Sequence, residues 1–501
     1  MNRFYNKKKF ENKITALAYV ILLILIQSSC RKLVDIPQPI NSITDEAVYS
    51  TDATATAILT GLYTTMSQPR VADFTGKDCF PIYTSLSSDE LYLSGSVLRG
   101  THFSFFQNTL IDDVGAGGNS WGPLFNYVYR CNASIEGLAL SQTLSPGVKQ
   151  QLLGEAHFLR AFYYFHLVNL FGPVPLATGT NYKINTLLVR APVAEVYELI
   201  ISDLKQAQEL LNNQFLNGSL NAPSIERIRP TRWAATALLA RAYLYIGDYS
   251  NATAQATAVI DNSSMFSLLP LNEVFLKNSQ EAIWQLQPVT AFFNTEDAKW
   301  FIIPPTGFTT ENIFYLNPSL VNSFEPEDQR RALGNWIGEI IIDTTPYYYA
   351  YKYKNNTNNP DINSETGTEN MTEYQMMLRL AEQYLIRAEA RAQENDLAGA
   401  ISDLDFIRSR AGLPLIATTN PGITKNALLE AILHERRVEL FTEFCHRWFD
   451  LKRTGKVDAV MSIETPLKGS VWESREALYP LPPTELHKAP NLEQNPGYPT
   501  F

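Results

Sequence analysis

The 501-residue chain has few of the side chains that usually carry chemistry. Six histidines are present, His102, His157, His166, His434, His446 and His487, and none belongs to an H-E-x-x-H. His434-Glu435-Arg436-Arg437 lacks the second histidine one turn on, which excludes the usual zinc-protease helix. No G-x-S-x-G elbow and no G-x-x-x-x-G-K-[ST] phosphate loop occur. Gly115-Ala116-Gly117-Gly118 fails the dinucleotide fingerprint, because Ser120 stands where its third glycine belongs. Asn355 to Glu365 is rich in oxygen ligands but lacks the glycine and spacing of a calcium loop. No catalytic residue, cofactor or metal ligand is therefore expected. Positive charge is also short, 41 Lys+Arg against 51 Asp+Glu for a net charge of -10. Such a chain gains little from the counterion release that drives nucleic-acid binding, so no nucleic-acid partner is expected.

What is there begins with an address. Arg3, Lys7, Lys8, Lys9 and Lys13, interrupted only by Glu11, precede an apolar run from Ile14 to Ile26. As a helix that run rises about 20 Å, short of the roughly 30 Å of a bilayer core. A basic segment followed by an apolar one of this length reads as a secretory signal peptide over 1–29. Gln27-Ser28-Ser29-Cys30 resembles the lipobox of bacterial lipoproteins, with Gln27 in place of the usual leucine, so Cys30 is the expected lipid attachment. Removing residues 1–29 takes away five positive charges and one negative, leaving a net charge of -14. Cys79, Cys131 and Cys445 then remain, enough for one disulfide at most.

Three stretches have helical spacing: Val148 to Phe171, stopped by Gly172-Pro173; Arg232 to Ile260, broken at Gly247-Asp248; and Glu373 to Arg410, broken at Asn395-Asp396. The last two share a pattern. Ala240, Ala242 and Ala252 stand around the first break as Ala388, Ala390 and Ala400 stand around the second. Small residues at these spacings let antiparallel helices approach, and the polar break supplies the turn, as in tetratricopeptide pairs. Because the copies lie far apart, long insertions must separate them. Residues 67–130 hold Gly, Ser, Asp and aromatics. Residues 270–370 hold Pro, Asn and Thr, with strand-like runs at Ile283–Leu286, Trp300–Ile303 and Ile340–Ile342. The expected fold is mainly α: a tetratricopeptide-like helix-pair scaffold over about 40–66, 131–262 and 371–460, with a loop-rich, mixed α/β ligand-binding face. Residues 30–501 form one domain on this reading.

Further motifs follow in order. Glu155-Ala156-His157-Phe158-Leu159-Arg160-Ala161 and Phe171-Gly172-Pro173-Val174-Pro175-Leu176 come first, then Tyr197 to Leu204 and Leu239 to Ala252. Arg387-Ala388-Glu389-Ala390, Ile407 to Gly412, Glu435 to Leu440 and His446 to Arg453 come next. Tyr479 to Glu485 and Gln494 to Tyr498 close the set. Across nearly the whole chain this resembles the SusD/RagB family of outer-membrane nutrient-binding lipoproteins. Cys445 stands where that family commonly has glycine, and Ala489-Pro490 replaces an Asn-Pro. The resemblance implies a non-catalytic lipoprotein of the cell outer membrane, facing the exterior. Such a protein captures an oligosaccharide or polysaccharide and delivers it to a SusC-like TonB-dependent transporter. Peptide capture is one alternative. A lipoprotein glycosidase is another, because a carboxylate pair is not legible in one dimension.

The shared motifs read as structural. Arg447, Asp450 and Arg453 fall three apart, a spacing for an ion-pair ladder, and Glu435 and Glu439 repel unless cations face them. Ligand contacts are expected instead on the insertions, where aromatic faces would meet sugar C–H surfaces and polar groups the hydroxyls. The candidates are Trp121, Phe292, Phe293, Trp300 and Trp336, with Asp89, Arg99, Asn294 and Asn335 as polar neighbours. Each aromatic competes with a core role. Tyr347, Tyr349, Tyr351 and Tyr353 alternate, so a strand places them on one face about 6.6 Å apart. That face either cradles an extended chain, with Tyr347 and Tyr349 as contacts, or packs on the helices while Lys352 and Lys354 face water.

Overall fold

The computed structural model describes residues 48–69, 74–110, 118–290, 294–356 and 371–499. The signal segment, Cys30, Phe292 and Phe293 lie outside them. Among the described residues no helix is long and apolar enough to cross a membrane.

The longer helices are α1 (Asp52–Met66), α2 (Phe80–Ser87), α3 (Thr101–Gln107), α4 (Gly118–Leu140), α5 (Pro146–Phe171), α6 (Val193–Leu210), α7 (Arg232–Tyr245), α8 (Tyr249–Ile260) and α9 (Glu296–Phe301). They continue as α10 (Leu380–Gln393), α11 (Leu397–Arg410), α12 (Lys425–Glu439), α13 (His446–Arg453) and α14 (Val457–Leu467). Among the described residues three antiparallel strand pairs complete the frame: β1 (Leu91–Leu93) with β3 (Phe314–Leu316), β2 (Ala282–Leu286) with β6 (Gln375–Arg379), and β4 (Ile337–Ile342) with β5 (Thr345–Ala350).

The two helix pairs inferred from the alanine pattern are α7–α8 and α10–α11, and their turns are built alike. Gly247 (φ +77°) and Asn395 (φ +68°) both adopt the left-handed conformation. The next amides, Asp248 and Asp396, reach back to the Tyr243 and Arg391 carbonyls at 2.9 and 2.8 Å, which closes each first helix. The same aspartates then cap the following helix by accepting from Asn251 N–H and Gly399 N–H. All six alanines are fully buried. Although 119 positions separate Ile260 from Leu380 in the numbering, α8 packs directly on α10. Helices α4 to α8 and α10 to α12 thus form one stack.

That contact explains where the second insertion goes. It leaves the frame at β2 and returns at β6, and these strands pair antiparallel, with Ala282 opposite Arg379 and Leu286 opposite Gln375. Both strands are wholly buried. The helix expected from Glu373 therefore starts only at Leu380, because the preceding residues complete this clamp. Two further expectations change. Trp300 lies in α9 rather than a strand, and α2, α3 and the start of α4 occupy much of the stretch 67–130 that lacks helical periodicity.

The shared motifs are ion pairs between helices. Arg160 on α5 grips Asp203 on α6 through two bonds of 2.8 and 2.7 Å, and His157 meets the same carboxylate at 2.7 Å. Arg387 and Asp403 repeat that fork between α10 and α11, and Arg241 and Glu382 join α7 to α10. Glu155 is held by Arg229 at 2.8 Å. The ladder expected on α13 is half formed. Asp450 binds Arg453 and Arg436, whereas Arg447 turns to Asp89 near β1. Glu435 and Glu439 receive their cations from the insertion, the clamp and α11: Arg330 touches both, and Arg379 and Arg410 also reach Glu439. Cys79, Cys131 and Cys445 are buried and free, so these three form no disulfide with one another.

Candidate functional site

The β4–β5 hairpin is the exposed centre of the second insertion. Asp343 and Thr344 both have positive φ (48° and 73°), the two-residue turn whose twist suits a tight hairpin. Its register sets Glu339 opposite Tyr348, Ile340 opposite Tyr347 and Gly338 opposite Tyr349. Successive tyrosines therefore face opposite sides.

On one side the rings join an edge-to-face chain. Tyr347 meets Phe308 at 5.0 Å and Tyr315 at 5.1 Å between centroids, and Tyr315 meets its cross-strand partner Tyr92 at 5.8 Å. Tyr349 lies across Gly338, where a Cβ would stand 2.3 Å from the ring, and meets Tyr351 edge-on at 5.9 Å. Tyr92, Phe308, Tyr315, Tyr347, Tyr349 and Tyr351 are all half-buried, so each leaves part of a ring in water. Burial pushes the Tyr92 and Tyr315 hydroxyls up to about 12, so both remain neutral donors across the physiological range. On the other side Tyr348 borders a cavity of about 540 Å³ with Glu339, Arg331, Gln329 and Glu327. The Glu339 carboxylate accepts from the Tyr348 hydroxyl, which raises the pKa of that phenol.

Alternation stops at Ala350, and the fate of the next residues departs from expectation. Lys352 does not face water. It is buried, and its ammonium donates to the Glu439 and Phe441 carbonyls and to Glu443. Burial lowers its pKa to about 8 despite Glu443. Lys354 is tied to the Gly334 and Asn335 carbonyls. Tyr353 is buried, with its hydroxyl accepting from Met376 N–H.

The remaining candidates divide by burial. Trp336 is fully buried, its indole N–H on the Leu271 carbonyl and Lys352, Arg379 and Arg410 around its ring, so it has no face for a ligand. Trp121 packs against Phe125 and Phe171. Trp300 donates to Glu296 at 2.7 Å beneath Lys299. Asp89 is buried between Arg437 and Arg447, and those cations hold its carboxyl well below the usual range. Asn294 is buried and accepts from Thr372 N–H, pinning the returning chain. Asn335 is half-buried and donates to the Gln329 carbonyl. Arg99 is exposed in the loop after β1. Of the predicted set the structure thus brings Tyr347 and Tyr349 onto one partly open aromatic face. Residues 92, 308 and 315 were missed. Tyr92 and Tyr315 each stand between two apolar residues in three-residue strands, too short for periodicity, and Phe308 lies in a loop between Gly307 and Thr309 with no local signal.

Comparison with known proteins adds a family. Residues 322–498 match a model described as "SusD family", and residues 43–244 match one described as "Starch-binding associating with outer membrane". A "SusD-like protein P2" of Formosa agariphila is 27% identical, covering 95% of this chain and 98% of its own. A "SusD-like protein" of Bacteroides ovatus is 25% identical over 82% of this chain and 77% of its own. Among solved structures, a SusD superfamily protein of Bacteroides vulgatus superposes with a TM-score of 0.74 at 20% identity, over 90% of this chain and all of its own. A structure titled "Laminarin binding SusD-like protein" superposes at 0.71 with 23% identity, over 90% and 100%.

Proposed function

The chain belongs to the SusD/RagB family, and from that premise we propose that it is a non-catalytic capture protein for a neutral oligosaccharide, bound on the aromatic face of the β4–β5 hairpin. The observation that carries this reading is the run of half-buried rings from Tyr92 through Tyr315 and Phe308 to Tyr347, with Tyr349 and Tyr351 beside it. Flat rings offer apolar surface to the C–H faces of sugars, and their phenols reach the hydroxyl rim. Neighbouring rings stand 5–6 Å apart, close to the repeat of an extended glycan. Little movement is needed, since the hairpin is held below by Trp336 and at its root by Lys352.

On this reading Cys30 carries the lipid that holds the protein at the outer membrane, facing outward. The bound chain passes to a SusC-like TonB-dependent transporter. A starch-binding family description and a laminarin-binding neighbour support glucans as the first ligands to try. Calorimetry with malto- and laminari-oligosaccharides tests the reading. Saturable binding without new reducing ends, weakened by Tyr347→Ala, is expected. Release of reducing ends would mean an enzyme instead, and saturable binding of peptides but not glycans would move the protein to the alternative cargo.

A further inference from the structure

A second concave region lies on the helical frame, far in sequence from the hairpin. Between α6 and α7 the chain makes a short arm, residues 212–224. It is closed by Asn217 N–H on the Ala222 carbonyl and Ser224 N–H on the Phe215 carbonyl, both 2.9 Å. Phe215 anchors the arm under the Arg227 guanidinium, 5.0 Å from its ring, and Leu220 of the arm is buried as well. Two clefts of about 320 and 580 Å³ flank the arm, and both are lined by Gln214 and Pro223.

Their lining is the informative feature. Charged residues make up 18% of the chain, yet neither cleft is lined by a single Asp, Glu, Lys or Arg. The cavity beside Tyr348, by contrast, is lined by five charged side chains. Amides take their place: Gln150, Gln151, Asn212 and Asn221 in the smaller cleft, Asn213 and Asn262 in the larger. The floor of the smaller cleft is fixed by Gln151, which is 3% exposed, donates to Glu155 and Pro230, and accepts from Asn212 N–H. In the larger cleft Trp233 is half-buried, and its indole N–H is committed to the Asn213 carbonyl at 3.1 Å. That bond fixes the plane of the ring. The side-chain amides of Asn213 and Gln214 are exposed.

We propose that these paired clefts are a second binding site for a neutral oligosaccharide, with Trp233 as the stacking face and the amides of Asn213 and Gln214 as hydroxyl partners. Amides donate and accept with no charge to desolvate, which suits hydroxyl-rich ligands without ionised groups. The lining itself offers an acidic glycan no counter-charge, and the nearby Arg227 guanidinium is committed to the Ala282 and Met265 carbonyls. The site does not depend on the hairpin, and either can fail without the other.

The test is hydroxyl-radical footprinting of the purified protein with maltohexaose, laminarihexaose and cellohexaose, and with hexagalacturonate as the charged control. Trp233 and Met265 both line the larger cleft and both report directly. At least one neutral hexaose is expected to protect them several-fold. In Asn213→Ala/Gln214→Ala the concentration needed should rise about tenfold, whereas Tyr347→Ala should leave it unchanged. If that double variant melts early, Trp233→Phe is read instead, since it keeps the packing and loses part of the stacking surface and the indole anchor. Three results each overturn the proposal: no neutral hexaose protects Trp233, hexagalacturonate protects it equally, or Tyr347→Ala abolishes the protection.

Discussion

The insertion that begins at β2 puts aromatic rings into two opposite settings within some fifteen residues. Trp336 sits beneath the hairpin, fully buried and surrounded by Lys352, Arg379 and Arg410, whose charges are answered by Glu439, Glu443 and Glu281. Tyr347 and Tyr349 sit on the hairpin itself, half-buried, with other rings rather than ions for neighbours. The first arrangement fixes the insertion to the frame. The second leaves a fixed apolar face in water. On the proposed reading, what separates support from recognition is where the charges lie, not which residue types are used.

The sharpest way to break that comparison is to remove charge from the buried seam. Glu439→Gln strands Arg330, Arg379 and Arg410 around a neutral amide and should cost about 3–5 kcal/mol of stability, read by chemical denaturation. Loss of glycan affinity in this variant should follow unfolding and disappear at temperatures where the fold survives.

A smaller effect tests the seam under β1. Glu90 is buried, accepts from Ser85 and from Thr442 N–H, and is pushed up to about 7 by burial, with Asp89 adding to the rise. Unfolded, it titrates near 4.5. Between those values the folded state holds the extra proton, so this contribution is complete below the unfolded value and is lost as pH rises through about 7. Glu90→Gln should flatten the fall in unfolding free energy between pH 5 and 8, by a few kcal/mol at most. An unchanged profile would place the titration elsewhere.

The frame was legible because its signals are local. The alanine spacing, the Gly247-Asp248 and Asn395-Asp396 breaks and the Arg387–Asp403 fork each act within one helix pair, whereas Arg241 and Arg447 reach partners in other elements. Stacking of α8 on α10 was implied by the shared pattern, but the clamp that permits it was not. Residues 375–379 look helical in isolation and become a strand only because β2 lies opposite. The candidate site was harder to read for the same reason. Tryptophan abundance in an insertion cannot distinguish Trp336, enclosed by cations from three segments, from a platform. Tyr92 and Tyr315 become neighbours only through a pairing of strands that sets two residues 223 positions apart side by side.

Two finer measurements sharpen the contrast within the frame. Asp248→Ala and Asp396→Ala should each cost about 1 kcal/mol, and nearly the same amount, because the two turns are built alike. A large difference between them would mean that the repeats carry unequal loads. Gly338→Ala should have the smallest effect on stability. It should still weaken glycan binding measurably, since the added methyl displaces the Tyr349 ring that covers it.

The most direct test of the account is calorimetry on Tyr347→Ala/Tyr349→Ala beside Trp336→Phe, with melting temperature recorded for each. The tyrosine pair should lose at least about tenfold in glycan affinity at nearly unchanged stability. The tryptophan variant should lose stability and keep its affinity. Full affinity in the tyrosine variant, or affinity lost in the folded tryptophan variant, would contradict it.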